Sequence, residues 1–274
     1  MKPFPVSFGT TPAFMSRFVN LELGGESEDQ PRRQRPKELV KDEAYYFSEA
    51  RTAFENGNFE QGLRFYSKVL EFNPENAAAW TGQVQMLIEL GEFREAKLWA
   101  DKALERFPRE PELLAAKAVA LGRSGDLHGA LVFSDASIEE RGDTPYVWLA
   151  RGDVMLARKE ERADYCFEKA LLLAPSDWFI AWLGARIRCY YNQFVLALKL
   201  LEQAIEWNTG HFLLWFHLGQ CQQALGLVGP ARRSLEQARQ LNPRFEEARL
   251  ALIRLSESNL FGRVRGFFRR LFKS

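Results

Sequence analysis

The sequence predicts an all-α fold built from antiparallel helix pairs stacked in a row, and three observations predict it. Apolar and small residues recur at helical spacing, as at Trp80, Val84, Leu87 and Ile88. That i, i+4, i+7, i+8 stripe buries one face of a helix. Glycine returns at a fixed interval, with Gly57, Gly91 and Gly125 equally spaced. Tryptophan keeps the same beat: Trp80 to Trp148 is twice the glycine interval, and Trp148 to Trp215 falls short of twice it by a single position.

The stretch from Ala77 to Pro108 shows one whole unit. Its first helix carries the Trp80 stripe and stops at Gly91, which takes a left-handed C-cap conformation at little steric cost. Its second helix carries Phe93, Ala96, Ala100, Ala103 and Leu104 on one face, small enough for two backbones to approach closely. Pro108 closes the unit, because proline disfavours a helical residue before it. Pro74 to Pro108 equals the glycine interval, and Pro175 to Pro243 is twice it. Between them, Pro108 to Pro175 again falls short of twice the interval by a single position. The glycine, proline and tryptophan series agree if one residue is missing between Trp148 and Pro175. The turn at Arg158-Lys159-Glu160, which lacks the glycine, is the expected seat of that loss.

Six positions then align in register. A large residue near the start falls on Tyr46, Trp80, Leu114, Trp148, Ala181 and Trp215, and a small one four later on Ala50, Val84, Ala118, Gly152, Ala185 and Gly219. In the second helices, small positions fall on Gly62, Ala96, Ala130, Ala163, Ala197 and Ala231, and on Val69, Ala103, Ser137, Ala170, Ala204 and Ala238. Gly142 and Thr209 depart from the closing proline. This period and pattern resemble the tetratricopeptide repeat (TPR) family. The resemblance implies a right-handed α-solenoid with repeats near 43–76, 77–110, 111–144, 145–177, 178–211 and 212–245. A polar-backed capping helix over 246–258, with Ala248, Leu252 and Leu255 inward, would complete a solenoid domain over 37–258.

The two ends do not join the repeats. Residues 1–36 hold five prolines, Gly24-Gly25 and the basic run Arg32-Arg33-Gln34-Arg35, the composition of a flexible segment. Phe4, Phe8, Phe14 and Phe18 exceed what a linker needs, so a short motif that docks on a partner or on this chain's own groove is a second reading. Residues 259–274 form a basic amphipathic tail. Leu260 to Ser274 has five basic residues and no acidic one, and Phe267, Phe268 and Phe272 fall opposite most of Arg263, Arg265, Arg269, Arg270 and Lys273 at helical spacing. Three readings stand: contact with an anionic membrane surface, docking on an acidic partner, and packing back on the capping helix.

Composition narrows the function classes. Net charge is +1, so no global field recommends nucleic acid, and only Arg51, Arg123 and Arg186 supply an inward basic stripe for RNA. Cys166, Cys189 and Cys221 have neither metal-ligand nor redox spacing, and His128, His211 and His217 are scattered. No phosphate-binding glycine loop, zinc motif or nucleophile elbow is present. The sequence reads as a non-enzyme with no cofactor and no metal. With no apolar run near the ~20 residues of a membrane span, a cytoplasmic place is expected, with membrane association through the tail as the alternative.

What remains is a surface. The resemblance implies that first helices line a concave face that binds a peptide or a partner helix. Inward positions of the first three repeats are Phe47, Arg51, Thr81, Gln85, Ala115 and Val119; those of the last three are Tyr146, Leu149, Asp153, Phe179, Trp182, Arg186, Tyr190, Phe216, His217 and Gln220. The second set is far richer in aromatics, the composition of interface hot spots, so repeats four to six are the expected partner site, with Trp182 and Phe216 as anchors. The lysine–asparagine set of family members that clamp chaperone tails is missing. Membrane-peripheral adaptor and, more distantly, RNA-binding helical repeat are the alternatives to a protein scaffold, and an open solenoid end offers a face for a second copy.

Overall fold

The computed structural model describes residues 41–257, and over that span it contains helices joined by short turns and no strand. In chain order the helices are α1 (Glu43–Glu55), α2 (Phe59–Phe72), α3 (Ala77–Glu89), α4 (Phe93–Arg106), α5 (Pro111–Ser124), α6 (Leu127–Glu139), α7 (Pro145–Ala157), α8 (Ala163–Leu173), α9 (Trp178–Tyr190), α10 (Phe194–Trp207), α11 (Phe212–Ala224) and α12 (Val228–Leu241). A further helix, α13, occupies residues 246–257. The expectations for the N-terminal segment and for the basic tail, including Arg263, Arg265, Phe267, Phe268, Arg269, Arg270, Phe272 and Lys273, lie outside the described residues.

Each pair is built by the same turn. After α1, Gly57 N–H donates to the Phe54 carbonyl and Asn58 N–H to Ala53; after α3, Gly91 donates to Ile88 and Glu92 to Leu87. The pattern recurs at Gly125–Asp126, Lys159–Glu160, Asn192–Gln193 and Gly226–Leu227. These paired bonds satisfy carbonyls that a helix end would otherwise leave without partners. The first residue of each pair has positive φ, including Lys159 at 61° and Asn192 at 59°. Lys159 therefore holds the glycine position one full repeat after Gly125, and the turn itself is intact.

The missing residue lies just beyond that turn. In the other pairs the second helix starts three residues before its first small position, as Phe59 precedes Gly62 and Phe93 precedes Ala96. In the fourth pair α8 starts at Ala163 itself, and it spans 11 residues where α2, α4, α10 and α12 span 14. The loss has removed part of the first turn of α8 and left the register of everything inward of it unchanged.

Small residues bring the helices together. Ala50, Ala96, Ala118, Ala130, Ala197 and Ala231 are fully buried. A Cβ added at Gly152 would lie 2.8 Å from the Phe167 ring, and one at Gly219 would lie 2.7 Å from Leu235. These are contacts that admit only glycine unless the facing side chain moves. The large residue of the register works differently. Trp80 and Trp215 donate their indole N–H to the carbonyls of Pro74 and Thr209, at 2.9 and 2.8 Å, so each ties a helix to the loop that precedes it. At the far end Phe245 packs on Phe212 and Phe216, with ring centroids 4.8 and 4.9 Å apart. Ala248, Ala251 and Leu255 of α13 continue the same core.

Lys159 adopts a left-handed conformation that costs a non-glycine residue about 1–2 kcal/mol, partly offset in glycine by its greater unfolded-state freedom. Lys159→Gly is expected to raise stability by roughly 0.5–1 kcal/mol, read as a higher denaturant midpoint at unchanged slope. A fall in midpoint would show that the lysine side chain contributes more than its backbone costs.

Candidate functional site

The inner helices of the six pairs are α1, α3, α5, α7, α9 and α11, and one of them closes the space between the others. From α9, Phe179 meets Phe54 of α1 edge-to-face at 5.0 Å, and the Arg51 guanidinium lies over the Phe179 ring, 4.8 Å from its centroid. Further along the same helix, Arg186 donates Nε–H to Glu89 Oε2 of α3 at 2.8 Å and pairs with the same oxygen through Nη2. Its guanidinium also lies 4.7 Å from the Phe59 ring of α2. At its C-terminal end Tyr190 stands 6.2 Å from Phe93 of α4 and 4.3 Å from the Arg123 guanidinium of α5. The fifth repeat thus reaches across to the first, second and third.

Beneath this bridge sits a buried polar network. Arg123 donates to Asp153 Oδ2 from Nε at 3.0 Å and from Nη2 at 2.6 Å, and Tyr191 O–H donates to Asp153 Oδ1 at 2.7 Å. The side chains of Arg123 and Asp153 are 7% and 1% exposed, so both charges have left water and are held by each other. Burial opposes the Arg123 charge, but Asp153 more than offsets it and the guanidinium pKa lies above its ordinary value. Burial, then the Asp153 charge, pushes the Tyr191 phenol up.

Two cavities flank the bridge. The larger, about 410 Å³, opens to solvent between repeats two, three, five and six, with Glu89, Phe93, Arg123, Arg186, His217 and Gln220 in its wall. The smaller, about 30 Å³, lies deeper, among Phe54, Tyr146, Leu149 and Asp153. His217 is bound on its inner side, where Nδ1 accepts from Trp182 Nε1–H at 2.8 Å. Its proton therefore sits on Nε2, 3.4 Å from Arg186 Nη1. That makes two donors facing each other with no acceptor between them among the described residues. Burial, reinforced by the Arg186 charge, lowers the His217 pKa to about 3, so the ring is neutral near pH 7.

The ten residues of the expected partner site divide into three groups. Arg186, Tyr190, His217 and Gln220 converge on the open cleft. Tyr146, Leu149 and Asp153 line the deep cavity, where Leu149 is 1% exposed and burial pushes the Tyr146 phenol up. Phe179, Trp182 and Phe216 line neither and are packed as core, with Trp182 completely buried. The anchor role expected of Trp182 and Phe216 does not match this packing: Trp182 is enclosed by Phe179, His217 and Arg186, and Phe216 by Phe245. Among the cleft residues that sequence reasoning left out of the site are Glu89 and Phe93, from repeat two. Nothing local marks them, because they join the site only when repeat five reaches across. Among the described residues no three His, Cys, Asp or Glu side chains converge as a metal site would, and no helix is long and apolar enough to cross a membrane.

Residues 53–120 match the tetratricopeptide repeat family. Over 191 residues the chain is 26% identical to the BBSome complex member BBS4 of Bos taurus, an alignment covering 68% of this chain and 36% of that protein. The chain therefore spans little more than a third of that relative's length. Solved structures of similar shape include the APC/C hetero-tetramer Cut9-Hcn1, at TM-score 0.49 and 16% identity over 78% of this chain and 43% of that one. A human IFIT1 dimer with m7Gppp-AAAA gives TM-score 0.49 and 19% identity over 83% and 58%. YrrB, a TPR protein with an unusual peptide-binding site, gives 0.40 and 17% over 68% and 96%.

Two outcomes follow from the electrostatics. Asp153→Asn leaves the Arg123 charge buried without its counter-ion and is expected to cost about 3–5 kcal/mol, measured by denaturant unfolding; a loss below about 1 kcal/mol would mean the pair is hydrated. His217 has a folded-state pKa below its unfolded value, so the unfolded chain binds the extra proton. Its contribution is complete above about pH 6.5 and is lost as pH falls toward about 3. The difference in stability between wild type and His217→Gln should shrink over that window, and a pH-independent difference would contradict the assignment.

Proposed function

We propose that this tetratricopeptide repeat protein is a non-enzymatic scaffold that holds a short extended peptide in the open cleft between repeats two, three, five and six. Proteins of the family typically mediate protein–protein interactions. The observation that carries the finer reading is the convergence of Arg186, Tyr190, His217 and Gln220 on one solvent-open cavity of about 410 Å³. Tyr190 is 46% exposed there, an aromatic surface that a partner can cover at low entropic cost. The facing donors of Arg186 and His217 call for an acceptor, which a peptide carbonyl or an acidic side chain supplies. A helix is ~10–12 Å across with its side chains, and side-chain bridges from α9 to α1, α3 and α5 cross the groove in which it would lie. An extended segment fits this geometry better than a docked helix. The likeness to BBS4, a member of a multi-protein complex, supports a role within an assembly.

The test is selection of binders from a displayed library of random peptides, followed by affinity measurement against Tyr190→Ala, Gln220→Arg and an outer-face control, Leu98→Ala, which alters a side chain 66% exposed. Selected peptides should carry a recurrent acidic or carbonyl-rich position. They should lose about tenfold or more in affinity to the two cleft variants, with helical content unchanged in all three. Binding that survives both cleft variants and fails in the control would place the partner on the outer face and refute the reading.

A further inference from the structure

The three cysteines are spaced in sequence like unrelated core residues, but two of them meet in space. Cys189 Sγ on α9 lies 3.2 Å from Cys221 Sγ on α11. Disulfide bonding needs ~2.05 Å between sulfurs, so the pair lies about 1 Å from bonding distance. Their settings differ. Cys189 is partly exposed and forms part of the wall of the open cleft, whereas Cys221 is 1% exposed and lies outside that wall, beside Cys189. Cys166, 3% exposed, has no such neighbour.

We propose that Cys189 and Cys221 are an oxidisable dithiol, in which Cys189 attacks an oxidant that enters the cleft and Cys221 resolves the product into a disulfide that staples α9 to α11. The oxidant is a low-molecular-weight disulfide. The Cys189 thiolate bonds to one of its sulfurs, breaking the small molecule's S–S bond and expelling one thiolate, which takes up a proton. The Cys221 sulfur, giving up its own proton, then attacks the Cys189 sulfur of the mixed disulfide and expels the second small thiol. Two protein thiols are oxidised by two electrons in all, and the small disulfide is reduced to two thiols. The polarity of the pair fits this order. A hydrogen bond from Cys221, aided by the Arg186 charge, lowers the Cys189 pKa, while hydrogen bonding to Cys189 and burial raise that of Cys221. Burial likewise raises the Cys166 thiol, and thiolate character governs reactivity.

Dithiodipyridine, whose released thiopyridone is followed by absorbance, tests this on the folded full-length chain. Wild type should release two thiopyridones per chain and retain no adduct. Its mass should fall by two hydrogens, and a non-reducing peptide map should show Cys189 joined to Cys221. Cys221→Ser should release one and keep an adduct on Cys189; Cys166→Ser should behave as wild type. A wild-type chain that keeps its adduct on Cys189, reacts first at Cys166, or does not react while folded would overturn the proposal. The wild-type readings stand whether or not a variant folds.

Discussion

The Glu89–Arg186 ion pair is the constraint on which the inner face of this protein depends. A row of helix pairs makes contacts mainly between neighbours, and nothing in that rule requires repeat two to touch repeat five. Here the two do touch, through side chains 97 residues apart in sequence and 12% and 22% exposed. Placing a guanidinium there has a cost in hydration, which the carboxylate and the ring of Phe59 offset together. Once α9 is held against α3, the ring of Phe179 reaches Phe54 and Arg51, and the Tyr190 ring reaches Arg123 and Phe93. The bridge converts a continuous groove into one open cleft and one deep cavity.

Below that bridge the protein is a repetition of one local solution. Six turns use the same pair of backbone hydrogen bonds and the same left-handed residue. Four supply glycine there, and two accept the strain with lysine and asparagine. The fourth repeat shows what the design tolerates. Losing a residue at the start of α8 shortens an outer helix but leaves its small inward residue, Ala163, 2% exposed and in place. The tolerated change lies at the edge of a unit, because the inward register carries the packing.

Much of this was legible in the sequence. The helix pairs, the turn positions, the small residues at close approaches and the six-fold register all follow from local pattern, since each unit repeats the same short-range physics. The role of the inward aromatics was not legible. Trp182 and Phe216 have the composition of an exposed hot spot, yet they are core because adjoining elements close over them: Trp182 packs with Phe179, Arg186 and His217, and Phe216 with Phe245. Arg186 and Tyr190 share the same helix and remain at the cleft. No local signal separates the two fates, which differ in whether a side chain is enclosed by its neighbours or faces the far side of the groove. Glu89 was missed because it meets Arg186 only across the groove, and the meeting of Cys189 with Cys221 because their separation in sequence matches no redox spacing. They meet because α9 and α11 are first helices of successive repeats.

A double-mutant cycle on Glu89→Ala and Arg186→Ala, read by equilibrium unfolding, tests the closed inner face most directly. If the two side chains bridge repeats two and five, the cycle should give a coupling energy of roughly 1–3 kcal/mol. Effects that simply add, to within about 0.5 kcal/mol, would mean that the two residues do not meet and that the groove stands open.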